Sequence, residues 1–392
     1  MKIAYVFHRD AANPSVQSGR PAAILDEFYR AGVEIEPVFP LNTRPAPRWV
    51  AKKIFCRMFG RYYRWDREPE YLASFAREFH TRTIGKSVDL IFSPGSEVVS
   101  HLQTRKPITF CADATFANLV DYYRDFSDVT TEYCQQGHRQ EEASLARAHL
   151  AIYPSEWAAR SAIEYYGAEP GKVAIIPFGA NLGRQNERSQ VWRWIEDRSQ
   201  KCLRLLFVGR HWRRKGGEIV VATAKRLVQA GHQVELDVVG CKIPRAYRGL
   251  PWIRQHGVLF SNIPAHVQKL AHLFAQAHFV FVPSRAEAYG MTFAEGNAFG
   301  LPVVTTATGG IPTIVRDGWN GLLLPPSATA TDYADAIAAT FSKPEYYRQI
   351  CRQAFDEFEQ RLNWRMFCRR YLELAEDCCR RLERSNMAEH RS

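Results

Sequence analysis

Short apolar runs recur along the chain and alternate with stretches of helical periodicity, the pattern of βαβ units wound about a parallel sheet. In the first half the runs predict strands at Lys2–Phe7, Val88–Phe92, Ile108–Cys111 and Leu150–Tyr153. Loops follow at Ser18-Gly19-Arg20, Ser93-Pro94-Gly95-Ser96 and Ala112-Asp113-Ala114. A second series predicts strands at Leu203–Gly209, Val234–Gly240, His278–Val282, Leu301–Thr305 and Gly321–Leu324. The fold class expected is α/β, with two doubly wound, Rossmann-like domains whose ligands bind at the carboxyl edges of the strands.

Between the two series, residues 181–200 are polar and rich in Arg, Gln, Ser and Asn, which reads as a linker with a hinge at Pro177-Phe178-Gly179. The expected divisions are 1–180 as an N-terminal domain, 201–345 as a C-terminal domain, and 346–392 as a helical segment rich in Arg. At 392 residues the length suits two domains. Apolar residues are 46% and charged residues 24%, enough to build two cores, so disorder is excluded as the dominant state.

Charge and cysteine usage narrow the setting. Lys and Arg number 52 against 41 acids, a net +11 that draws anionic partners: nucleotides, phosphorylated substrates, nucleic acid or acidic lipid. The nine cysteines are scattered without a CxxC pair, which argues against a disulfide framework or a structural zinc and for a cytoplasmic setting. Met1–Asp10 reads as a first strand rather than a leader, and no run approaches the roughly 20 apolar residues of a membrane span. Membrane contact is then expected only as peripheral association, at the inner face.

The segment from Arg44 to Arg67 interleaves cations with Trp49, Phe55, Met58, Phe59, Tyr62, Tyr63 and Trp65. Three readings stand open: a helix packing its aromatics on its own domain, a helix bedding its rings in an anionic membrane surface, and a nucleic-acid contact. No helix-turn-helix, zinc-finger or RNP pattern accompanies the charge, so no nucleic acid is expected.

Candidate chemistry concentrates in three strand-to-helix loops of the second half. Pro283-Ser284-Arg285-Ala286-Glu287-Ala288-Tyr289-Gly290 leads into a helix starting near Met291 and Thr292, whose free backbone N–H groups face an anion. Glu287 ahead of that helix and Glu295 within it offer two carboxylates, one suited to the hydroxyls of a transferred sugar, the other to those of a ribose. Gly209-Arg210-His211-Trp212-Arg213-Arg214-Lys215-Gly216-Gly217 closes a strand with cations that can cover a diphosphate, and its plain alternative is a basic surface loop. Thr308-Gly309-Gly310-Ile311-Pro312 is the third loop, with Pro312 early in a helix.

These residues resemble a known family. Glu287 to Glu295 fits the Glu-x7-Glu motif of the retaining GT-B glycosyltransferases of family 4, also described as glycosyl transferases group 1. Gly209-Arg210 followed by Lys215-Gly216 fits their Gly-Arg…Lys-Gly diphosphate motif. Gly300-Leu301-Pro302-Val303-Val304, Gly309-Gly310-Ile311-Pro312 and Asp317-Gly318 extend the likeness, which covers about 180–325 strongly.

The resemblance implies two facing Rossmann-like domains, a nucleotide-diphosphate-sugar donor (UDP- or GDP-sugar) in the C-terminal one, a glycan or lipid-linked acceptor at the N-terminal one, and no required metal. Arg210 and Lys215 would hold the diphosphate, Glu287 the donor sugar, the N–H groups of Gly290, Met291 and Thr292 phosphate or sugar, and Glu295 the ribose. Gly209 belongs to the same donor-binding group. The last helical segment would cross back to the N-terminal domain. Where members often carry Gly-Gly in the first loop this chain has Ser18-Gly19, with Gly19 counted among the donor contacts. Where many carry a His, Asp113 stands, either touching donor sugar or acceptor hydroxyl or capping a helix at Ala114–Val120.

The function expected is retaining transfer of a hexosyl unit in glycan, polysaccharide or glycolipid biosynthesis. Two alternatives remain: a nucleotide-sugar epimerase of the same fold, which would return an altered sugar nucleotide, and a non-catalytic anion or nucleic-acid binder, which would show steep salt dependence and no turnover.

Overall fold

Strands at the centre of a parallel sheet are covered by helices on both faces, so they are continuous apolar runs, and the runs above become such strands. The computed structural model describes residues 1–41 and 44–389. Its contacts divide the chain into two units, Met1–Ile176 with Cys368–Ser392, and Pro177–Phe367.

The first unit holds β1 (Lys2–Val6), β2 (Glu34–Val38), β3 (Leu90–Ser93), β4 (Ile108–Cys111), β5 (Leu150–Tyr153) and β6 (Val173–Ile175). All pair in parallel, in the order β2-β1-β3-β4-β5-β6. The winding reverses between β1 and β3, so a crevice opens at their carboxyl ends. Tyr5 of β1 packs edge-on to Phe92 of β3, centroids 5.2 Å apart, and Phe92 meets Tyr371 at 4.9 Å. The Tyr371 hydroxyl reaches Thr109 of β4 at 2.8 Å, which seats the C-terminal helix on this sheet. Behind the loop after β3, Ser96 Oγ donates to buried Glu141 at 3.0 Å and Ser144 Oγ to the Ser96 carbonyl at 2.7 Å.

The second unit holds β7 (Leu203–Val208), β8 (Val234–Val239), β9 (Ile253–Gly257), β10 (Phe279–Val282), β11 (Val303–Thr306) and β12 (Gly321–Leu324). They are parallel in the order β12-β11-β10-β7-β8-β9, so the winding reverses between β7 and β10. Helix Gly217–Gln229 follows β7 and buries Val220, Val221, Ala224 and Leu227, the i, i+1, i+4, i+7 stripe that faces a sheet. Burial of each such Val or Leu contributes about 1.5–3 kcal/mol. Glu218 in its first turn and Arg226 in its last suit the helix dipole.

Three points differ from the sequence expectation. Residues 188–197 within the expected linker form helix Arg188–Asp197, because Val191 and Ile195, one turn apart, are buried beneath its polar surface. Arg198 then anchors it, donating to the carbonyls of Gly300 and Phe299 at 2.8 Å. The C-terminal helical stretch is two helices, Pro344–Gln360 and Trp364–Glu389, and the second starts where Asn363 Oδ1 accepts the Met366 N–H at 2.9 Å. The chain therefore returns to the first unit at Cys368 rather than at 346. Strands β2, β6 and β9, unforeseen in the sequence, complete the sheets.

Candidate functional site

In the second unit the three glycine loops are physically joined. The loop after β7 meets the loop after β10 where the Arg285 N–H donates to the Arg214 carbonyl and Arg214 Nη1 to the Ala286 carbonyl, both at 2.8 Å. The loop after β11 is tied on by the Gly310 N–H, which donates to the Glu287 carbonyl at 3.1 Å. Adjacent β7 and β10 thus deliver their loops to the point where the sheet order reverses, the usual ligand position in such sheets.

Glycine is required in this junction for two different reasons. Gly216 has φ +77°, and a Cβ there would lie 2.1 Å from the Pro283 carbonyl oxygen. At Gly209 a Cβ would lie 2.9 Å from Cγ of Lys215, so its absence admits the lysine stem. We expect Gly216→Ala to cost at least about 2 kcal/mol, from left-handed strain plus the clash. A lowered melting temperature checks this, and an unchanged one contradicts the close packing of the two loops.

The charged groups converge on Glu287. Lys215 Nζ contacts Glu287 Oε2 directly, and Arg214 Nη1 stands 3.4 Å from the same oxygen. Both Lys215 and Glu287 are buried, and the ammonium lies 5.9 Å from the centroid of the Phe293 ring. Arg210 is exposed just beyond β7, with no ion pair among the described residues.

Helix Met291–Ala298 starts from Gly290 at φ +101° with no side-chain cap. The Phe293 N–H turns back to the Gly290 carbonyl at 2.9 Å, so the preceding N–H groups, of Met291 and Thr292, point out of the helix end. Glu295, one turn on, accepts the backbone N–H groups of Leu182 and Asn181. Burial pushes its carboxyl up to about 7, while those two donors and the Lys215 charge act in the opposite sense. A carboxylate has about four acceptor positions, so the two donors leave room for further hydroxyls.

In the first unit a second cluster forms at its own reversal point. Gly19, φ +81°, opens helix Arg20–Arg30 after β1. Arg20 is buried and donates to the Pro94 carbonyl at 3.0 Å in the loop after β3, and to Gln17 Oε1 at 2.6 Å. Its Nη1 pairs with Asp113 Oδ1, 2.8 Å away in the loop after β4. Asp113 is therefore not the helix cap. Thr115 is, forming a capping box with Asn118 at the start of helix Phe116–Leu119.

Of the residues singled out from sequence, Gly209, Lys215, Glu287, Gly290, Met291, Thr292 and Glu295 thus share the loop junction of the second unit. Arg210 belongs to one of those loops without contacting the acids, and Gly19 and Asp113 sit together in the first unit through Arg20. Two contributors went unassigned in the sequence, Arg214 and Arg20. Each stands inside a quoted stretch, but only the fold shows which of several adjacent cations turns inward. Among the described residues no three His, Cys, Asp or Glu converge as metal ligands.

Comparison with known proteins adds to this geometry. Residues 202–343 match the family described as glycosyl transferases group 1. The D-inositol 3-phosphate glycosyltransferase of Geodermatophilus obscurus is 31% identical over 221 residues, 52% of this chain and 48% of the relative. That of Actinosynnema mirum is 32% identical over 215 residues, 50% of each. The chain spans about half the length of the curated relatives it matches. Among solved structures, sucrose-phosphate synthase from Thermosynechococcus elongatus superposes with a TM-score of 0.71 at 19% identity, covering 96% of this chain and 98% of its own. The Anabaena protein HepE, solved with UDP and glucose, gives 0.64 at 16% identity, covering 96% and 100%.

Proposed function

We propose that this chain, which has the GT-B fold and whose residues 202–343 match the glycosyl transferases of group 1, moves a sugar from a nucleotide-diphosphate-sugar donor to an acceptor hydroxyl with retention of configuration. The observation that carries the reading is the junction of three glycine loops around Lys215 and Glu287 at the reversal point of the second sheet. A buried cation, an exposed arginine and two uncapped N–H groups suit a diphosphate, and the acids beside them suit hydroxyls. A UDP-sugar is one donor in keeping with the HepE structures, one of which holds UDP-glucose.

In this reading Lys215 and Arg210 neutralise the charge that builds on the diphosphate as it leaves. The N–H groups of Gly290, Met291 and Thr292 bind phosphate or sugar. Glu287 orients the sugar hydroxyls and Glu295 the ribose. Departure of the diphosphate from the face that the acceptor hydroxyl attacks lets the leaving oxygen take the hydroxyl proton, so no carboxylate has to form a covalent bond and the protein acts by positioning and charge stabilisation. The first unit, with the Arg20–Asp113 pair, takes the acceptor, a glycan, polysaccharide or glycolipid hydroxyl, while Gly19 keeps its place among the donor contacts.

A thermal-shift series against UDP, GDP, ADP and their sugar conjugates tests the reading. A ligand at about 100 times its Kd stabilises the native state by about 2.7 kcal/mol. For a unit of this size that raises Tm by roughly 5–10 °C. No shift with any nucleoside diphosphate overturns the proposal. Turnover that returns an altered sugar nucleotide without an acceptor assigns the epimerase alternative instead, and an inverted anomeric configuration in the product removes retention.

A further inference from the structure

The basic, aromatic segment of the first unit is divided by its helix into two unlike faces. Helix Pro47–Met58 turns Trp49 inward, where it joins Tyr63, Phe116 and Tyr133 in a buried cluster with Trp65 packed alongside. Half of the aromatic content is therefore ordinary core. The opposite face is apolar as well: Ile54 and Phe55 are each 61% exposed, Met58 76% and Phe59 67%. These positions follow the i, i+1, i+4, i+5 pattern of one continuous strip, and the Phe55 and Phe59 rings stand 4.9 Å apart in solvent. Contiguous exposed apolar surface of this kind marks an interaction site.

The charge around the strip identifies the partner. From Arg44 to Trp65 the chain carries seven Lys and Arg and no Asp or Glu. Nearby acids of other segments are already engaged, Glu70 by Arg48 and Glu132 by Lys52, and Asp66 pairs with Arg64. Arg57 and Arg61 flank the exposed rings, are themselves exposed, and form no ion pair among the described residues. A symmetric dimer through this face would set these cations against their own copies, with no acid in the segment to neutralise them. Nucleic acid would use the cations but give no burial to Ile54 and Met58. A surface that is anionic at its rim and apolar just beneath satisfies both.

We propose that this face docks the protein on an anionic lipid bilayer, with Ile54, Phe55, Met58 and Phe59 inserted at the headgroup boundary and Arg57 and Arg61 on the lipid phosphates. This inference is independent of the transferase reading, because it concerns the free surface of the first unit. It accounts for a helix that is apolar on both sides, only one of which the fold covers. No helix among the described residues is long and apolar enough to cross a membrane.

Co-sedimentation of the full chain with vesicles tests the proposal. The protein is expected to bind equimolar phosphatidylglycerol and phosphatidylcholine and to leave pure phosphatidylcholine unbound. Each cation near such a surface contributes about 1 kcal/mol, so Arg57→Gln with Arg61→Gln is expected to weaken partitioning roughly 25-fold. Phe55→Ser with Phe59→Ser should weaken it at least about tenfold, including at salt that already screens the charge term. All four side chains are exposed, so the melting temperatures should stay at the wild-type value and certify that the variants are folded. Absence of binding by the wild type, equal binding to neutral vesicles, or unaltered binding by both variants overturns the proposal. So does concentration-dependent self-association that Phe59→Ser abolishes.

Discussion

Lys215→Ala is expected to lower kcat/KM for sugar transfer by about 10²–10³, the loss of about 3–4 kcal/mol typical when a charge-stabilising donor is removed from a site. The side chain is placed for that role by its surroundings. Gly209 makes room for its stem, and the Gly216–Pro283 packing fixes the turn that presents it. It is buried, so its ammonium acts where water screens little. Glu287 neutralises it, and a diphosphate would share it. Lys215→Arg is not expected to restore the rate, because a planar guanidinium cannot occupy the space of a compact ammonium beside Gly209 and Phe293. Initial rates with a matched donor, set beside nucleotide binding by calorimetry, check this. Near wild-type turnover of Lys215→Ala would remove the cation from the reaction.

What the sequence makes legible follows from where each element sits. The central strands β4, β5 and β10 are solid apolar runs because helices cover both their faces, and each is recognisable from composition alone. Strands β2, β6 and β9 are sheet edges. Glu34-Ile35-Glu36-Pro37-Val38 and Ile253-Arg254-Gln255-His256-Gly257 carry the charge and proline that solvated edges tolerate, so no apolar run announces β2 or β9, while β6 is apolar but only three residues long. Helix Arg188–Asp197 hides for a similar reason, since two buried residues suffice to seat it while the rest of the segment is polar. In the candidate site, the glycine loops were legible because their geometry needs glycine locally. The pairing of Lys215 with Glu287 was not, since 72 positions separate them and only the adjacency of β7 and β10 brings them together. The same holds for Arg20 and Asp113, whose meeting depends on three loops stacking at one sheet edge.

Glu287→Ala is expected to separate binding from turnover, and that separation distinguishes the role of the acid from that of the lysine. Two backbone hydrogen bonds hold the loop that carries Glu287, one from the Arg285 N–H to the Arg214 carbonyl and one from the Gly310 N–H to the Glu287 carbonyl, so removing the carboxylate leaves the loop in place. The variant releases Lys215 and Arg214 from a competing anion. Nucleoside diphosphate affinity should then hold or rise, as both cations become available to the phosphates. The donor sugar loses its acceptor of hydroxyl hydrogen bonds, and kcat should fall at least about 10²-fold, roughly 2.7 kcal/mol of transition-state stabilisation. Glu287→Gln keeps the shape and one acceptor oxygen, so its rate should lie between those of Glu287→Ala and the wild type. The double variant Lys215→Ala with Glu287→Ala should lose less than the sum of the single losses, because the two side chains are in contact and each is the other's counter-charge. Measured Kd and kcat for the wild type and the four variants decide the matter: unchanged turnover in Glu287→Ala, or nucleotide affinity that falls in step with the rate, removes the acid from the sugar side of the site.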